Sequence, residues 1–256
     1  YVADLEAVLA HSHAAGVSSI LLPGTDLEDS MQAVNLADRY YDRGVVAAVG
    51  VHPHDAKSYT PDVGAALRQL AIKHRGRAVV AIGEIGLDFH YDFSPRDIQR
   101  DAFRAQLELA VDLDLPAVIH DREATADTLE VILEVASRRG LRSVPGVFHC
   151  FSGSAETARI ILKHGFYLGF DGPITFKNAR KALEVLAVCP RDRVVIETDS
   201  PYLTPEPHRG HRNTPQHIPL IGAKVAEIWG CTVEEVARQT TENAEKLFAL
   251  PVWKNR

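Results

Sequence analysis

The sequence predicts an α/β fold whose parallel strands close into an eight-stranded barrel, and three observations carry that prediction. Short apolar runs alternate with segments of helical spacing along all 256 residues, a pattern that implies a parallel sheet. The runs are continuously apolar, as strands buried on both faces are. Their C-terminal ends carry reactive side chains from several different runs, and barrel enzymes place their sites at that face. The alternative closure is an open doubly wound sheet. No Gly-rich dinucleotide fingerprint follows the first run, which weakens it.

Taken in order, Val17–Leu22 ends in Pro23-Gly24-Thr25, Val45–Val51 in His52-Pro53-His54, Ala78–Gly83 in Glu84, and Leu115–Ile119 in His120. Gly146–Phe148 then ends in His149, Phe166–Phe170 in Asp171-Gly172, and Val194–Glu197 in Thr198-Asp199. Between them, Ala102, Leu107, Leu109, Ala110 and Leu113 fit one helix, and Leu129, Ile132, Leu133 and Ala136 fit another with Asp127 as its cap. Ser154 opens a further helix, with Thr157 three residues on. Ile218–Trp229 is followed by Thr232-Val233-Glu234-Glu235, a capping box for a last one. No linker or repeat divides the chain, so residues 1–256 read as one domain. Seven strands are legible where a barrel needs eight. The chain opens at Tyr1 with a helix-like segment, and the expected first strand is missing. An unclosed barrel exposes two sheet edges, so that strand is expected upstream of Tyr1.

Composition bounds the function. Net charge is −6 and the pI about 6.1, so there is no basic footprint for coating duplex DNA or a membrane surface. A nuclease stays open, because bound metals and a few arginines hold phosphate. Cys150, Cys189 and Cys231 lack metal-type spacing and are too few for a disulfide framework. They read as reduced thiols of a cytoplasmic protein. There is no apolar run of about 18 residues and no secretory signal. A monomer or weak oligomer is expected.

Glu84, His120, His149 and Asp199 stand at four strand ends. Carboxylates and neutral imidazoles converging from such ends suit one divalent ion or a pair, with a position left for water. Glu84 has two oxygens with which to bridge ions. Asp199 suits either a ligand or the acceptor of the attacking water's proton. His52 and His54 flank Pro53 and suit a substrate phosphate or leaving oxygen. Arg122 and Arg212 carry guanidinium forks for phosphate oxygens. His11-Ser12-His13 mimics a metal pair, but its helical setting points the two rings apart. Cys150 and Ser200 lack a free base partner and read as structural.

Five phrases together resemble the TatD family of metal-dependent nucleases. They are Gly50-Val51-His52-Pro53-His54, Gly83-Glu84-Ile85-Gly86-Leu87-Asp88, Ala117-Val118-Ile119-His120, Phe148-His149-Cys150-Phe151-Ser152-Gly153, and Glu197-Thr198-Asp199-Ser200-Pro201-Tyr202-Leu203. Arg212-Asn213-Thr214-Pro215 and Glu242-Asn243-Ala244 also fit. The resemblance implies a TIM-type (β/α)8 barrel with one or two divalent ions, magnesium first, with manganese and zinc suited to the imidazoles. It implies that Glu84 bridges the ions, that His120 and His149 hold one, and that Asp199 holds the other. The implied activity is 3′-to-5′ exonucleolytic hydrolysis of single-stranded DNA, with roles in DNA repair and in nucleic-acid breakdown during cell death; the choice between DNA and RNA stays open. Family members begin with a strand ending in an H-x-H pair, which this chain lacks. Two rival functions remain open: hydrolysis of an amide, lactone or small phosphoester on the same scaffold, and nucleic-acid binding without catalysis.

Overall fold

The computed structural model describes Tyr1 and residues 3–251. In chain order the elements are α1 (Leu5–Ala14), β1 (Ile20–Pro23), α2 (Leu27–Arg39), β2 (Val45–Val49), α3 (Pro61–His74), β3 (Val79–Asp88), α4 (Arg96–Asp112), β4 (Ala117–Arg122) and α5 (Thr125–Arg139). They continue with β5 (Gly146–Phe148), α6 (Ala155–Lys163), β6 (Tyr167–Phe170), α7 (Arg180–Val188), β7 (Val194–Ile196), α8 (Ile218–Trp229) and α9 (Val233–Phe248). The helix–strand alternation is that of the predicted TIM-type barrel, with seven strands among the described residues. Contacts group the chain into two compact units. One comprises Tyr1–Ile20 and Cys150–Lys246, the other Leu21–His149 with Leu247–Leu250.

In the second unit the strands follow one another in chain order, β1 to β5, and β2, β3, β4 and β5 pair in parallel. Every residue of β2 and β3 is buried, which is why these strands are apolar on both faces. Helices cover them with one apolar face each: Val34 and Ala37 from α2, Leu67 and Ala71 from α3, Phe103 and Leu107 from α4, Val131, Ile132 and Val135 from α5. Local chemistry starts these helices. The Asp26 side chain accepts the Asp29 N–H. Thr60 accepts the Val63 N–H ahead of Pro61, which suits the first helical position.

The other unit pairs β6 with β7 in parallel. Tyr167, Phe170 and Val194 form its centre with Ile161 of α6, Val185 of α7 and Ile221 and Val225 of α8. The two helix starts expected here are present. The Thr157 N–H donates to Ser154 Oγ at 3.2 Å. Thr232 and Glu235 exchange backbone–side-chain bonds at 2.9 and 3.2 Å, a reciprocal capping box.

Several element boundaries differ from the sequence expectation, most by one to three residues, and His120 like Glu84 lies inside its strand; three differences bear on local structure. The first run is strand only from Ile20 to Pro23. β3 does not stop at Gly83 but continues to Asp88, so Glu84 lies within the strand. Gly86 permits this: a Cβ there would lie 1.9 Å from the His120 carbonyl oxygen, on the neighbouring strand. Asp127 does not cap α5, which begins at Thr125. Instead its carboxylate pairs with Arg100 on α4, and an acid in the first turn also suits the helix dipole.

Two buried glutamines of α4 fix the strand ends. Gln106 Oε1 accepts the Val51 N–H at 2.7 Å and its Nε2 donates to the Val51 carbonyl at 3.0 Å. Gln99 treats Asp88 the same way, at 2.8 and 3.1 Å. A side-chain amide supplies a donor and an acceptor side by side, matching the N–H and C=O of one residue. Gln106→Leu leaves a buried N–H and a buried C=O unpaired, each worth about 1–3 kcal/mol. We expect denaturant unfolding to show a loss of about 2–5 kcal/mol; a loss below about 0.5 kcal/mol contradicts the clamp.

Candidate metal centre

The second unit gathers five of the sequence-predicted residues around one carboxylate oxygen or beside it. Glu84 Oε1 lies 2.7 Å from His149 Nε2, 2.9 Å from His120 Nδ1 and 3.3 Å from His52 Nε2. His120 Nδ1 and His149 Nε2 are themselves 3.3 Å apart. His52, Glu84 and His120 each offer a ligand atom within 4.8 Å of the others. Burial alone would raise the Glu84 carboxyl. The attraction of His149 and hydrogen bonds from His120, His149 and His52 override it and hold the group well below the usual carboxylate range. Imidazole nitrogens gathered on one buried carboxylate oxygen are the donor types of a divalent cation site, so the residues fit the ion that the fold class implies.

The tautomers divide the histidines by role. His52 Nδ1 accepts the His54 backbone N–H at 3.2 Å. In a neutral imidazole the proton is then on Nε2, aimed at Glu84. Burial, the largest effect, lowers the His52 pKa, so the ring is neutral. A nitrogen that carries a proton has no lone pair for an ion, and His52 is a hydrogen-bond donor in this site. His120 is the opposite case. Its Nε2 lies 3.2 Å from Asp88 Oδ2, so that when an ion takes the place of the Nδ1 proton that now faces Glu84, the remaining proton stays on Nε2 against Asp88 and the Nδ1 lone pair serves the ion. This is the carboxylate–histidine arrangement that orients metal-binding imidazoles. We expect His52→Ala to change divalent-ion affinity by less than about threefold and His120→Ala to weaken it at least about tenfold, by isothermal titration. Equal losses would overturn the division.

Asp88 was not among the predicted site residues, and it holds much of the site. It is fully buried. Oδ2 meets His54 Nε2 at 2.8 Å as well as His120, and Oδ1 accepts the N–H groups of His90 and Tyr91 at 3.0 and 2.9 Å. Burial pushes its carboxyl up, but the hydrogen bonds from His120, Tyr91 and His54 and the attraction of His120 win and hold it strongly depressed. On His120, burial is likewise outweighed: hydrogen bonds to Asp88 and Glu84 raise its pKa. A signal existed in the sequence. Asp88 lies four residues after Glu84, in the same quoted phrase, and an extended chain repeats its face every two residues.

Arg122, at the end of β4, is exposed and lies 4.7 Å over the Tyr91 ring. Asp199 and Arg212 belong to the other unit. There the Arg212 guanidinium pairs with Asp4 and lies 4.8 Å over the Tyr1 ring. Asp199 follows β7 with a φ of +52°. The Cys150 thiol is pushed well up, first by burial and then by the negative charges of Asp171, Glu197 and Asp199, so it is no thiolate nucleophile. His11 and His13 lie on α1, as expected of a helical pair.

A parallel α/β barrel-type fold that presents imidazoles and carboxylates on strand ends defines a metal-dependent hydrolase. Comparison with known proteins narrows that class. The family described as "TatD related DNase" matches residues 1–249, and the chain belongs to this family. It is 44% identical over 250 residues to the "Uncharacterized metal-dependent hydrolase YabD" of Bacillus subtilis, covering 98% of this chain and 94% of that one. It is 38% identical to the "3'-5' ssDNA/RNA exonuclease TatD" of Citrobacter rodentium, over 98% of this chain and 94% of that protein. Among solved structures it is similar to the TatD homologue YjjV of Escherichia coli, with a TM-score of 0.88 at 31% identity, covering 97% and 93% of the two chains. Among the described residues, no helix is long and apolar enough to cross a membrane.

Proposed function

We propose that this protein is a nuclease that removes nucleotides from the 3′ end of single-stranded DNA, and of RNA, with one or two divalent ions held at Glu84. The observation that carries the reading is the convergence of His52, His120 and His149 on Glu84 Oε1. The similarity to a relative named as a 3′-5′ single-strand exonuclease supports the choice of substrate. Glu84, His120 and His149 are the ligands this chain offers from its second unit. The resemblance favours magnesium, and the imidazoles suit manganese or zinc. The whole chain is taken as one catalytic domain.

A bound divalent ion supplies Lewis acidity at the phosphoryl oxygens and makes water more acidic. The chain's own residues do the rest. Asp88 holds the His120 ring by its Nε2–H and fixes the direction of Nδ1. His54, also bonded to Asp88, closes one side of the cluster. His52 donates its Nε2–H toward the centre, where a phosphate or leaving oxygen accepts it. Water adds at phosphorus, and the bond to the 3′ oxygen breaks. The departing 3′ oxygen takes a proton from solvent water and leaves as a hydroxyl. We assign the water's proton to Asp199, on the strength of its strand-end position in the sequence, and phosphate contact to Arg122 and Arg212.

The test is digestion of a 5′-labelled single-stranded oligonucleotide with Mg²⁺ or Mn²⁺. A ladder shortening from the 3′ end supports the reading; an intact oligonucleotide with both ions removes it. The pH dependence of ion binding follows from His120. A protonated imidazole cannot bind an ion, and the His120 pKa is raised above the ordinary value of about 6.5. Affinity is therefore expected to fall with decreasing pH, beginning above that value. A flat titration between about pH 8 and 6 contradicts the assignment of His120 as a ligand.

A further inference from the structure

The segment after β3 holds two aromatic rings out toward solvent beside the metal centre. Tyr91 is 47% exposed and Phe93 58%. Single exposed aromatics are common, but these two are stacked, with ring centroids 5.3 Å apart and planes 23° from parallel. The exposed Arg122 guanidinium lies 4.7 Å from the Tyr91 centroid. Both rings meet the edge or face of His54, at 5.4 and 4.9 Å, and His54 is bonded to Asp88, which is bonded to His120. The platform is thus continuous with the centre.

Its backbone is fixed from several sides. Asp88 Oδ1 accepts the Tyr91 N–H at 2.9 Å. Lys57 Nζ donates to the Phe93 carbonyl at 2.8 Å. Gln99 Nε2 donates to the Ser94 carbonyl, also at 2.8 Å, and Ser94 Oγ donates to the His54 carbonyl at 2.9 Å. Rings held out by a hydrogen-bonded loop lose little freedom when a ligand settles on them. A flat π-face beside a guanidinium, next to a phosphodiester site, matches the way unpaired bases are held in single-strand binding proteins, by stacking with a cation at hand.

We propose that Tyr91 and Phe93, with Arg122, form a stacking platform for an unpaired nucleobase of the substrate strand. This rests on the reading of the site as one that acts on single-stranded nucleic acid, and it adds which side chains grip the base. It also implies tolerance of base identity, because every base has a π-face.

The test is fluorescence anisotropy of the full chain with a 5′-fluorescein-labelled single-stranded oligodeoxynucleotide and with an abasic strand of equal length. Chelator is present, so binding is read apart from cleavage. The base-bearing strand is expected to bind at least about tenfold tighter. Tyr91→Ala and Phe93→Ala each lower that preference about fivefold, and the double variant brings it close to one. Phe93→Trp keeps it and Phe93→Leu, which keeps an apolar side chain, does not. Equal binding of the two strands, no binding of the base-bearing strand, or a preference unchanged in the double variant overturns the platform. A preference that depends on the rings, in a protein that cleaves no oligonucleotide with Mg²⁺ or Mn²⁺, keeps the platform and removes the nuclease reading instead.

Discussion

Glu84→Gln is expected to lower oligonucleotide hydrolysis by on the order of 10³-fold or more, because groups that act as one unit are lost together. The substitution is nearly isosteric, so it isolates charge from packing. An amide oxygen still accepts hydrogen bonds from His52, His120 and His149, which surround Oε1 now. What disappears is the anion on which an ion depends. The same anion raises the His120 pKa, so the variant's imidazoles become easier to deprotonate while its ion affinity falls. The thermal midpoint is expected to move by no more than about 4 °C, which for a chain of this size corresponds to roughly 1–2 kcal/mol. Digestion assays and thermal melts on the same preparation check both halves. Hydrolysis within about tenfold of the parent would remove Glu84 from the reaction.

Asp88→Asn is the second large effect, and it acts through a proton position. Asp88 Oδ2 receives both His54 Nε2 and His120 Nε2, while Oδ1 receives two backbone N–H groups. An asparagine that keeps its oxygen on the backbone side places an NH₂ against the two imidazoles. His120 Nε2 must then accept, which moves its proton to Nδ1 and points N–H at Glu84 and His149. The lone pair that an ion would need at Nδ1 is then unavailable although no candidate ligand has been replaced. Divalent-ion affinity is expected to fall about 10- to 100-fold, the usual range for a lost orienting partner. Asp88→Ala differs in kind: it leaves two backbone N–H groups without an acceptor and is expected to destabilise by about 2–5 kcal/mol. Titration calorimetry beside denaturant unfolding separates the two. Unaltered ion affinity in Asp88→Asn would show that His120 does not bind through Nδ1.

Much of this cluster was legible because each of its candidate ligand residues follows a short apolar run. Glu84, His120 and His149 needed only the strand pattern and the rule that barrel sites collect at one end of the sheet. The family resemblance was legible for the same reason, since its phrases are those strand ends. Asp88 went unread because Gly83 and Gly86 look like strand breakers, whereas in β3 they let two backbones approach. Gln99 and Gln106 went unread because polar residues in an amphipathic helix are presumed to face water. Their partners lie 11 and 55 residues away in sequence, and no local period encodes that. Arg212 makes the same point more sharply, since its carboxylate partner Asp4 is 208 residues distant.

The spacing of those two glutamines has a consequence for how the centre tolerates change. They are seven residues apart on α4, two turns of one face, about 10.5 Å along the axis. Val51, just past β2, and Asp88, at the tip of β3, are therefore held at an interval set by a helical repeat, like two marks on a ruler. One residue added between them turns the second amide by about 100° and frees one strand tip. A helix that touches no reacting atom thereby limits insertions as strictly as the ligands limit substitution.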